Sequence, residues 1–76
     1  LEDKMSRLPY KGLMIGDKPE VIKNRFGYGE CELPPEAVAV YDVIMGSEVM
    51  GLYGEMQKGL DWFRQNYPKE YMILLD

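Results

Sequence analysis

The 76-residue chain contains no histidine. That single absence removes Ser-His and Cys-His nucleophile pairs and all histidine-based metal sites. There is one cysteine, Cys31, so neither a disulfide framework nor a cysteine-rich zinc module can form within the chain. No apolar run approaches the ~18 residues that a membrane-spanning helix requires, and a membrane is not expected as a partner. Residues 1–7 lack the apolar core of a secretory signal. An unpaired thiol suits a reducing compartment, so a cytoplasmic location is expected. Basic residues are missing altogether between residues 30 and 55.

What is present points to a folded domain. Hydrophobic residues make up 46% and charged residues 29%, a balance that excludes a disordered tail. Residues 1–76 are expected to form one small domain, with no room for a second. For a chain this short, apolar burial and ordering entropy nearly cancel. A second copy of the same chain is the simplest source of further burial.

Charge is divided unevenly. Residues 1–29 hold six basic against four acidic side chains, and residues 30–76 hold three against nine. The whole carries −4, which disfavours generic phosphate binding.

The pattern predicts a mainly α fold, with α+β as the alternative. Residues 8–17 read as an extended arm or edge strand bounded by Pro9 and Gly16. Asp17, Pro19 and Glu20 resemble a helix start, predicting a short helix over 19–25 that stops at Gly27. Pro34, Pro35 and Glu36 open the clearest element. The β-branched run at 37–45 admits a strand, but the proline start favours a helix. With a second helix over 55–66, ended by Tyr67 and Pro68, it forms a helical hairpin at 35–66. The apolar tail after Pro68 is expected to dock as a helical turn or a strand, so that both extended termini pack across the hairpin.

On the second helix Met56, Leu60, Phe63 and Tyr67 form a narrow apolar stripe. Trp62 lies roughly 120° from its centre and is expected either to cover another element or to serve an interface. The first helix is apolar on nearly every side, more than one helical neighbour can cover. Val40, Val43, Gly46, Met50 and Trp62 are therefore the expected interface residues. Glu48 falls within the apolar part of that helix, where a carboxylate needs either water or a partner.

No constellation for catalysis stands out. Cys31 sits between Glu30 and Glu32, and neighbouring anions suppress a thiolate. The paired acids Glu30, Glu32 and Glu36 would need a cleft to do acid–base work. No calcium-loop pattern is present, and no metal or cofactor is expected. Residues 25–29, Arg25 to Gly29 in the order Arg, Phe, Gly, Tyr, Gly, resemble an RNA-recognition motif but lack its glycine after the basic residue. The closing stretch resembles small phage proteins in general character, without a defining motif. The expectation is a small acidic interaction or regulatory protein acting as a homo-oligomer, a dimer foremost, with another protein as a further partner and no enzymatic activity. The alternative is a nucleic-acid-associated accessory protein of phage type using the basic N-terminal third, although nucleic acid is not the favoured partner.

Overall fold

A computed structural model describes residues 8–75. Residues 1–7, where the sequence predicts no secretory signal, lie outside them. Among the described residues the order is β1 (Glu20–Lys23), β2 (Glu30–Leu33), α1 (Pro35–Met50), α2 (Tyr53–Asn66) and α3 (Pro68–Leu74). The fold is mainly α with some β.

Residues 8–19 form an irregular arm with no strand in it. Its Leu8, Tyr10 and Leu13 are half-buried against the core. The Tyr10 hydroxyl donates to the backbone carbonyl of Glu55 at 2.6 Å and ties the arm to α2.

The helix expected over 19–25 is instead a strand. β1 pairs antiparallel with β2 in the register Glu20 to Leu33, Val21 to Glu32, Ile22 to Cys31 and Lys23 to Glu30. Adjacent Val21 and Ile22 favour extended backbone. The turn between the strands needs positive φ at Gly27 (82°) and Gly29 (144°), a conformation that side chains with a Cβ resist. Asn24 organises this turn from a buried position. Its backbone N–H donates to Gly29 O at 2.7 Å, and its side-chain oxygen accepts from Phe26 N–H at 2.6 Å. Its side-chain amide donates to Ile73 O at 2.8 Å, anchoring the turn to α3.

α1 begins where the double proline predicts it, with Pro34 as N-cap and Pro35 in the first turn. It closes in a Schellman motif. Gly51 adopts φ 76°, its N–H donates to Glu48 O, and Leu52 N–H donates to Ser47 O. α2 starts at Tyr53, two residues before the expected start at 55. α2 packs along α1, α3 packs on α2 and β2, and β2 also touches α1. Leu33, Val40, Ile44 and Phe63 are the largest fully buried side chains.

Tyr67, at the α2–α3 junction, donates its hydroxyl to Glu36 at 2.6 Å. Burial first, and then this hydrogen bond to an anion, push the phenol well above its ordinary range. The folded-state pKa thus lies above the unfolded value. The resulting stabilisation is complete below the unfolded value of about 10 and is lost as pH rises through the folded one. Alkaline unfolding should therefore steepen above about pH 10. Tyr67→Phe should cost ~1.5–3 kcal/mol at neutral pH through the lost hydrogen bond to a charged group, and should flatten the alkaline slope. Denaturant titrations at pH 7 and at several alkaline values read both effects.

Candidate functional site

α1 is apolar around its circumference, but its surroundings are not. Ala37, Val40, Tyr41 and Ile44, spaced along one face, are buried. The opposite side is buried at Ala39 and opens toward the C-terminal end of the helix. A Cβ placed on Gly46 would meet no atom within 4 Å. Val49 is 87% exposed and Met50 73%. At the corner that follows, Leu52 and Tyr53 are exposed as well. These exposed apolar side chains follow one another at the end of α1 and the corner after it.

Of the expected interface residues, Val43, Gly46 and Met50 share this outer side. Val43 is half-buried, and the other two are exposed. Val40 and Trp62 turn inward in the single chain. Val40 is fully buried in the core cluster. The Trp62 ring meets Phe63 edge-on at 5.9 Å and lies 5.5 Å from Tyr67. Trp62 therefore takes the first of its two expected roles, covering its own domain. Its indole N–H is buried and meets no acceptor among the described residues. Val49, Leu52 and Tyr53 were missed from sequence. On the helical wheel Val49 lies about 60° from Gly46, toward the outer side, and its exposure follows that position.

Beside this face runs a groove of about 650 Å³ between the arm and the two long helices. Its lining includes Ala39 and Val43 of α1 and Leu13 and Met14 of the arm. The charged side chains Lys11, Asp42, Glu55 and Lys58 line it as well, two of each sign. Lys58 and Glu55 form an exposed ion pair at 3.3 Å, too solvated to fix either side chain firmly.

A second surface is the tip of the strand turn. Phe26 and Tyr28 are both exposed, with ring centres 6.3 Å apart. The Arg25 guanidinium lies over Phe26 at 5.0 Å and also forms a two-pronged ion pair with Glu48, one arm of it at 3.0 Å. The Arg25 hydrogen bond holds the Glu48 carboxylate below the usual range. Glu48 thus meets both expected conditions, being partly open to water and paired. Lys23 faces Glu30 across the strands. The positive charges of the tip are matched by neighbouring acids, which leaves little net attraction for phosphate.

Burial, and then the charge of Glu70, raise the Cys31 thiol, so the thiolate is disfavoured. Glu36 is engaged by Tyr67, while Glu30 and Glu32 lie on the exposed face of β2. Among the described residues no three carboxylates or thiols gather as metal ligands. Among them also, no helix is long and apolar enough to cross a membrane. Comparison of the chain with protein-family models, with curated proteins and with solved structures finds no match.

Proposed function

We propose that the chain is a small interaction protein whose working form is a homodimer built on the outer face of α1, with no catalytic step of its own. The helical hairpin of α1 and α2 is the scaffold that presents this face. The observation that carries the reading is the pairing of two long, bare apolar side chains, Val49 and Met50, with an open Gly46 one turn away. Contiguous exposed apolar surface on a small protein marks a contact site. A residue without a side chain at its centre lets two helix backbones approach closely. One patch used twice about a two-fold axis is the commonest closed assembly.

The test is solution mass by light scattering across micromolar concentrations. The wild-type chain is expected at twice the chain mass in the high-micromolar range. Met50→Glu should give a monomer with unchanged helix content, because Met50 is exposed in the single chain and its replacement leaves the core intact. A wild-type chain that stays monomeric throughout that range would overturn the reading. So would a Met50→Glu variant of undiminished mass.

A further inference from the structure

We infer that the arm is an autoinhibitory strap: it covers the N-terminal half of the α1 face proposed above as the dimer contact, and Tyr10 seated against Gly59 is its latch. The inference rests on the dimer reading and adds its regulation.

The covered and the bare residues belong to one stripe. Ala39, Val43, Gly46 and Met50 follow one another at steps of four, three and four residues, which keeps them within about 60° on a helical wheel. That spacing makes the seam along which two like helices pack. Exposure changes halfway along it. Ala39 is buried and Val43 half-buried, and both line the groove together with Tyr10, Leu13 and Met14 of the arm. Gly46 and Met50, further along the helix, are exposed. A second copy that meets the closed chain finds only the C-terminal half of the seam. With the arm lifted it finds all four positions.

The strap can lift while the rest of the domain stays folded. Every member of the buried core cluster lies between Leu33 and Leu74, so none comes from the arm. The arm's own Leu8, Tyr10 and Leu13 are only half-buried, and its backbone forms neither helix nor strand. Among the described residues, hydrogen bonding from the arm to the rest of the fold converges on Tyr10. Its hydroxyl donates to Glu55 O at 2.6 Å, and Gly59 leaves the room for it, since a Cβ there would fall on the Tyr10 hydroxyl. A segment with few buried contacts and one hydrogen-bonded anchor opens more readily than the whole domain unfolds. The full seam requires both copies to be open, so any change in the latch counts twice in the dimer constant.

Tyr10→Phe tests the latch, because it keeps the ring and removes only the hydrogen bond. Losing such a bond raises the open fraction about fivefold per copy, so the dimer dissociation constant is expected to fall about 25-fold. Light scattering across micromolar concentrations reads that shift. Below the dimerising range, trypsin cleavage after Lys11 should speed up about fivefold while the helices stay intact. Adding Val43→Glu to Tyr10→Phe should cancel the gain in association, because it blocks the half of the seam that the arm uncovers. A Tyr10→Phe chain that dimerises no more tightly than the wild type would overturn the inference and leave the dimer reading standing. So would a gain that survives Val43→Glu, or an unchanged rate of cleavage. No association of wild type or variant at high micromolar concentration would overturn both.

Discussion

Phe63→Ala is expected to bring the chain close to unfolding at room temperature. Phe63 is fully buried and stands at the centre of the aromatic group, with its ring 5.9 Å from Trp62 and 5.8 Å from Tyr67. Truncating a buried phenylalanine costs ~3–5 kcal/mol, the lost transfer energy plus the cavity left behind. A domain of this length has only about 4–11 kcal/mol of stability in all. Tyr67 cannot readily collapse into the space, since its hydroxyl is committed to Glu36. Denaturant titration followed by circular dichroism measures the loss. Phe63→Leu, which keeps much of the volume, should retain most of the stability. A cost below about 1 kcal/mol for Phe63→Ala would show that the aromatic group is not the centre of the core. If the working form is a dimer, the transition of both variants should move with protein concentration, because association draws on the folded state alone.

The helical part of this fold was legible because its boundaries are chemical. Pro34 and Pro35 start α1, Gly51 ends it in the left-handed conformation, and Pro68 separates α2 from α3. The apolar stripe on α2 also reads through: Phe63 and Tyr67 are buried, and Met56 and Leu60 pack against them. β1 did not read through, because Asp17, Pro19 and Glu20 carry the signature of a helix start while the decisive information lies ten residues later. Gly27, Gly29 and the buried Asn24 turn the chain back, and only the pairing of Ile22 with Cys31 makes the extended form worthwhile. That pairing joins residues nine apart through a turn that Asn24 ties to α3, and the pattern of 17–25 alone carries neither.

The same blind spot governs the surface. Helical spacing treats α1 as a cylinder with one neighbour. In the fold it has α2 on one side, β2 on another and the arm over Ala39. Val40 and Trp62 are buried in the resulting core, whereas Val49 and Met50 in the last turn of α1 stay exposed. Which residues are apolar was readable from the sequence. Which of them remain uncovered depends on where each neighbouring element ends.

Gly59→Val should destabilise the chain by ~1–3 kcal/mol, the range for overpacking a close contact. Gly59 is buried at the crossing of α2 with α1 and the arm. A Cβ there would fall on the Tyr10 hydroxyl and within 2.5 Å of Ile44 Cγ1. Ile44 is itself enclosed and cannot swing away, and Tyr10 is held by its hydrogen bond to Glu55. The added side chain must therefore push the arm off α2 or spread the two helices. Glycine inside a helix is ordinarily a weakness of ~1 kcal/mol relative to alanine, so Gly54 provides the contrast. It sits in the first turn of α2, where an added Cβ would meet no atom within 4 Å. Gly54→Ala should stabilise the fold by ~0.4–1 kcal/mol, whereas Gly59→Ala, despite the same propensity gain, should lose stability. Paired denaturant titrations of the two alanine variants decide the matter. A stabilising Gly59→Ala would mean that the arm does not rest on α2 at Tyr10, and with it would go the arm wall of the groove.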